Sequence, residues 1–128
     1  MTIANWCVLA ACLLPAASVG LAKMASAKLA PSERYDNRNP RQWAAGLTGW
    51  QARANAAQMN GFEILPLFVA AVVLAQQAHG PQGRIDLLAA SFIGLRLVYV
   101  ALYLADIHLL RTVAWLAGVG VCVALLAL

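Results

Sequence analysis

Apolar residues fall in four long blocks along this chain, separated by polar segments. The first block covers about residues 3–22, with Pro15 as a candidate kink. The second covers about 50–77 and becomes continuously apolar only from near Gly61. The third runs over about 85–105 and the fourth over about 109–128. A helix needs about 20 apolar residues to cross the hydrocarbon core of a bilayer, so each block predicts a membrane-spanning helix. Between them lie a polar loop at 23–49, a tight turn "HGPQG" at 79–83 and a tighter one, "DIH", at 106–108. Short links make neighbouring helices antiparallel. The predicted fold is therefore all-α: an integral membrane protein built as an up-down four-helix transmembrane bundle, one domain over residues 1–128.

Composition supports a membrane setting. The chain is 62% hydrophobic and 11% charged, whereas soluble domains carry about 25% charged residues. The cations report topology. Lys23, Lys28, Arg34, Arg38 and Arg41 lie in the first loop, against Arg84 in the second, which Asp86 opposes. The positive-inside rule then places the first and third loops in the cytoplasm and both termini on the other side. No basic cluster is interleaved with aromatics, so nucleic acid is not an expected partner. Cys7, Cys12 and Cys122 lie in apolar runs without metal or CxxC spacing; they read as small buried hydrophobes, and no metal site is predicted. "LAAC" (9–12) and "ASA" (25–27) imitate processing sites. The first Lys or Arg is Lys23, so no positively charged leader precedes them and the first block reads as a retained membrane helix.

A few ionisable groups remain inside the apolar blocks, where they are costly and normally face a bundle interior or a wet cavity. In "RANAAQMNGFEILPLF" (53–68), Arg53, Ala56, Asn60 and Glu63 step by three or four residues and share one helical face. Glu63 lies about 15 Å deeper than Arg53 at a rise of 1.5 Å per residue. Arg96, Tyr99 and Tyr103 likewise share a face of the third helix, with Arg96 the deeper end. Depth pairs Glu63 with Arg96, and the simplest reading of the two is a buried ion pair that sets helix register. Arg111, at the start of the fourth helix, reads by itself as a snorkelling anchor. The convergence of these groups is what exceeds structural roles. A carboxylate, an amide, two phenols and several guanidiniums gather toward one half of the bundle, a set suited to a charged, peptide-like guest. One subunit has few helices to shield Glu63 and Arg96. Small residues at Ala70, Ala71, Gly94, Gly118 and Gly120 would allow close helix approach, so self-association is expected.

"RANAAQMNGFEILPLF" and "RLVYVALYLADIHLLRT" together resemble the MAPEG family, the membrane-associated proteins in eicosanoid and glutathione metabolism. The likeness covers nearly the whole chain, and the "RYDNRNPRQW" loop resembles bacterial branches. The resemblance implies a homotrimer, in a bacterial inner membrane, with glutathione as co-substrate bound between subunits. It implies that Arg53, Asn60, Glu63, Arg96, Tyr99 and Tyr103 form the glutathione-binding wall and that Arg111 is catalytic, holding the thiol as thiolate. Thr112 stands where some members have an assisting Ser. The implied activity is a glutathione-dependent transferase or peroxidase acting on a small apolar electrophile delivered from the membrane lipids. Two positions depart from the pattern: Ala56, where catalytic members usually have Arg, and Ile64, where Tyr is frequent. They sustain an alternative, a non-enzymatic member that binds a lipid or another small anion. A transporter is disfavoured, since no pair of broken helices marks a midplane path.

Overall fold

The computed structural model describes residues 1–128, the whole sequence. It is helical throughout, with no strand. Helix α1 spans Ile3–Ser26, α2 Pro40–Ala45, α3 Gly49–Gln77, α4 Gln82–Leu104 and α5 His108–Leu126. All but α2 are long and apolar enough to cross a membrane. The up-down four-helix arrangement predicted from the apolar blocks is therefore the arrangement found.

Two details differ from the expectation. Helix α1 runs one turn past the apolar block, through Lys23 to Ser26, because hydropathy reports where the membrane ends and not where the backbone ladder ends. The polar 23–49 segment is also partly ordered into α2 and a 3₁₀ turn at Pro31–Glu33. The signal for α2 was present in Asn39-Pro40, since proline is favoured at the first helical position.

Local chemistry sets the ends. Thr2 caps α1 by accepting the Asn5 N–H at 3.3 Å, and Asp86 of α4 accepts the Ala4 N–H at 2.8 Å. Both satisfy first-turn donors that have no partner inside the helix. Helices α3 and α4 each close with paired bonds back into their last turn. Gly80 donates to Ala75 O at 3.0 Å and His79 to Gln76 O at 3.1 Å; Ile107 donates to Leu102 O at 3.0 Å and Asp106 to Tyr103 O at 3.1 Å. The residues that reverse the chain there, His79 (φ 56°) and Asp106 (φ 61°), are not glycine.

Helix α1 packs chiefly on α3, and α5 chiefly on α4. The tightest crossing joins Gly61 of α3 to Pro15 of α1. A Cβ at Gly61 would fall 2.7 Å from the Pro15 Cγ. The core between the pairs is narrow and built from small residues (Ala71, Ala75, Ala89, Cys122) around Phe68 and Phe92, whose rings stack at 3.9 Å. Only 24 of 128 residues are buried, while many Leu, Val and Trp side chains point outward. That inversion suits lipid and not water. Ala71 and Gly118 are buried within the bundle, whereas Ala70, Gly94 and Gly120 face out. Of the cysteines, Cys122 is buried and Cys7 half-buried, but Cys12 lies on the outer face of α1, so burial does not extend to it.

Candidate functional site

The polar residues of α3, α4 and α5 gather at the end of the bundle that carries the 23–49 segment. Arg96 is the centre. It is only 4% exposed, and its Nη1 donates to the Asn60 Oδ1 at 3.0 Å. The Asn60 Nδ2 in turn donates to the Glu63 Oε2 at 3.4 Å. The direct Glu63–Arg96 ion pair expected from depth is thus replaced by a relay through Asn60. The cause is rotational: on α3, Asn60 is half-buried while Glu63 is exposed on the outer surface.

The strip continues along α4. The Arg96 guanidinium lies 4.2 Å from the Tyr99 ring centroid. Tyr99 and Tyr103 meet edge to face at 5.7 Å. Arg111, in the first turn of α5, sits 4.1 Å from the Tyr103 ring centroid. Cation–π contacts of this kind hold a guanidinium through the ring face without consuming its N–H donors. Glu63, Asn60, Arg96, Tyr99, Tyr103 and Arg111 therefore form one continuous polar strip across three helices.

An open cleft of about 190 Å³ lies over it, lined by Asn60, Tyr99, Arg111, Thr112 and Trp115. Trp115 stands outside the polar set that the sequence singles out. Its place four residues after Arg111, on the same helical face, is the signal that could have put it in the cleft. The Thr112 hydroxyl turns back on its own helix and donates to His108 O at 3.1 Å. Arg53, grouped with this wall in the sequence, is engaged elsewhere. Its Nε and Nη2 donate to Leu104 O at 3.2 and 3.1 Å, capping the C-terminus of α4, where a cation meets the negative end of the helix dipole. No group of His, Cys, Asp and Glu in the structure could hold a metal ion.

Arg111 is the one charged residue in the cleft lining. It lies in the first turn of α5, so its charge adds to the positive end of that helix dipole. Asn60, Tyr99 and Trp115 supply neutral polar and aromatic walls. The one carboxylate of the strip, Glu63, stands apart from the cleft lining.

A four-helix bundle of apolar spans with a polar strip crossing three of its helices defines a class of integral membrane proteins. Compared with protein families, residues 3–128 match the MAPEG family. The chain belongs to the MAPEG family, and is thus a membrane protein of the glutathione and eicosanoid metabolism group. No curated protein and no solved structure matches it.

Proposed function

We propose that the chain is a membrane-bound glutathione-dependent transferase or peroxidase, with glutathione as co-substrate. The observation that carries this reading is Arg111, stacked on Tyr103 with its N–H donors uncommitted, at the mouth of the cleft with Asn60 and Tyr99. A thiol near pKa 8.5 is mostly protonated at neutral pH; a guanidinium beside it favours the thiolate, the nucleophilic form. In the transferase reaction the thiolate sulfur forms a bond to the electrophilic carbon. The leaving group departs with its electron pair and the thiol proton goes to solvent. Asn60 and Glu63 hold the peptide portion, Glu63 taking the ammonium group, while Arg96 keeps Asn60 oriented. Tyr99 and Tyr103 line the path to the thiol.

A homotrimer with the site between subunits completes the reading. Its support is the exposure of Glu63 on the isolated chain at membrane depth, where an unshielded carboxylate is costly. The loop cations favour a cytoplasmic location for the mouth, and the likeness of the 34–43 loop to bacterial branches favours a bacterial inner membrane.

A second reading is favoured by one specific observation. Ala56 carries no charge, and Arg53 is committed to Leu104 O, so this face of α3 offers no free cation for a peptide carboxylate. A non-enzymatic member binding a lipid or a simpler anion would need none.

The deciding experiment mixes the purified protein with glutathione and follows ultraviolet thiolate absorbance, then adds an aryl halide. The proposal expects a thiolate signal and conjugation in the wild type, and a loss of about 10²–10³-fold in turnover for Arg111→Ala, the usual effect of removing one preorganised charge-stabilising group. No thiolate and no conjugation in the wild type would refute it and leave the second reading.

A further inference from the structure

Helices α3 and α4 run antiparallel and are tied by two polar rungs. The deep rung is the Asn60–Arg96 bond at 3.0 Å. The shallow rung is Arg53, whose Nε and Nη2 donate to Leu104 O at 3.2 and 3.1 Å. From Arg53 to Asn60 the helix rises about 10 Å and makes nearly two full turns, so both side chains leave α3 on one face. From Arg96 to Leu104 it rises about 12 Å. The rungs therefore sit at matching heights on the two helices, with Tyr99 and Tyr103 between them on α4.

The shallow rung grips the point where the chain turns toward Arg111. Leu104 is the last residue of α4, and its carbonyl belongs to the final turn, whose acceptors have no partner inside the helix. Residues 105–107 then lead directly into α5 at His108. This short link has little freedom of its own. The Ile107 N–H donates to Leu102 O at 3.0 Å, the Asp106 N–H to Tyr103 O at 3.1 Å and the Arg111 N–H to Ile107 O at 3.1 Å. The Arg111 guanidinium lies 4.1 Å from the Tyr103 ring centroid. The link and the first turn of α5 are thus bonded to the end of α4, and Arg53 bonds the end of α4 to α3. Two donors in a rigid planar fork fix the direction of approach as well as the distance, which a single flexible donor does not.

We propose that Arg53 is a positioning residue for Arg111. By clamping Leu104 O it sets the separation between Asn60, on α3, and Arg111, on α5, across the cleft that both of them line. The inference rests on the glutathione reading above, in which Asn60 holds the peptide portion and Arg111 the sulfur. Arg53 stands outside the cleft lining, with its donors spent on Leu104 O, so it acts through Arg111 and not on the thiol. A guanidinium moved away from a thiol favours the thiolate less. Misplacing a catalytic group by about 1 Å can cost about a hundredfold in rate, so a partial loss of the clamp has a measurable effect.

The test titrates the thiol of bound glutathione by ultraviolet thiolate absorbance against pH and measures steady-state conjugation, both with the full chain. Arg53→Met keeps an unbranched stem and removes the charge and the donors. It should move the thiol's titration midpoint up toward the free value near 8.5. It should also lower kcat about tenfold while leaving KM for glutathione within about twofold. Arg53→Lys keeps the charge without the fork and should fall between the wild type and Arg53→Met. Adding Arg53→Met to Arg111→Ala should cause no further loss, because the first residue acts through the second. A raised KM with an unmoved midpoint would show Arg53 binding glutathione directly, and additive losses in the double variant would show it acting apart from Arg111. Either result overturns the proposal, as does a variant that loses stability while its midpoint and kcat stay at wild-type values. If the wild type forms no thiolate, the glutathione reading is what fails, and amide exchange judges the clamp: the Ile107 and Arg111 N–H groups should exchange faster in Arg53→Met, and equal exchange overturns the proposal. If Arg53→Met does not fold, Arg53→Lys carries each of these comparisons.

Discussion

Replacing Gly61 with alanine tests the α1–α3 crossing on which the geometry around Arg96 depends. The added Cβ would lie 2.7 Å from the Pro15 Cγ, 3.2 Å from its Cβ and 3.7 Å from its Cα. Carbon atoms attract best at about 3.5–4.0 Å, so the first contact is short by roughly 1 Å. The obstacle is a proline ring in mid-helix, which has no alternative rotamer to adopt. Helix α1 must therefore move as a body. Overpacking of this kind costs about 1–3 kcal/mol. The opposing term is helix propensity, since alanine is better than glycine in a helix interior by about 1 kcal/mol. The net expectation is a loss of about 1 kcal/mol, with a sign set by the contact. Arg96 lines the same narrow crevice as Pro15 and Gly61, so the shift should also loosen the Arg96–Asn60 bond. The assay is reversible denaturant unfolding in mixed micelles for the wild type, Gly61→Ala, Pro15→Ala and the double variant. The double-mutant cycle should show a coupling of about 1 kcal/mol or more, because Pro15→Ala removes the atom at 2.7 Å. A gain in stability for Gly61→Ala equal to its propensity advantage, with an additive cycle, would refute the crossing.

Three further outcomes are expected. Asn60→Leu leaves the buried Arg96 without its hydrogen-bond partner and should cost about 3 kcal/mol or more in the same unfolding assay. Asp106→Gly should raise stability by about 1 kcal/mol, because the αL conformation at φ 61° suits glycine and burdens an L side chain; an unchanged or lower unfolding midpoint would contradict this. Asp36 accepts the Arg38 N–H at 2.8 Å and the Asn39 amide at 3.1 Å, bonds that hold its carboxyl below the usual carboxylate range, the Arg38 bond first. A depressed folded pKa contributes stability that is fully present above the unfolded value, near 3.9, and is lost as pH falls through the folded one. Amide exchange at Arg38 should therefore stay protected down to about pH 4 and rise below it; in Asp36→Ala the protection should be absent at every pH.

Much of the fold could be read from the chain because spanning a bilayer is a one-dimensional requirement. Length and apolarity can be summed along a segment without knowing its neighbours. Thus Gln77 was found as the end of the second span, and the other long-helix ends came within a few residues, except where Lys23 to Ser26 continues α1 beyond the apolar block. Helix α2 escaped because it never enters the apolar pattern; only Asn39-Pro40 marked it. For the site, a period of 3.6 residues was enough to put Asn60 and Glu63 on one face and Arg96, Tyr99 and Tyr103 on another.

Partner choice was not legible in the same way. The sequence established a membrane protein with four spans, a polar first loop and a small set of intramembrane polar groups at matching depth, because composition and periodicity are properties of the chain taken one segment at a time. The tertiary structure decided that Arg96 bonds Asn60 and not Glu63, that Arg53 caps α4 at Leu104, that Arg111 stacks on Tyr103, and that Trp115 lines the cleft. Each of those outcomes turns on the rotation of one helix about its own axis relative to the next. A few tens of degrees exchange one neighbour for another without altering any pattern along the chain, so only the packing at crossings such as Gly61 on Pro15 selects among them.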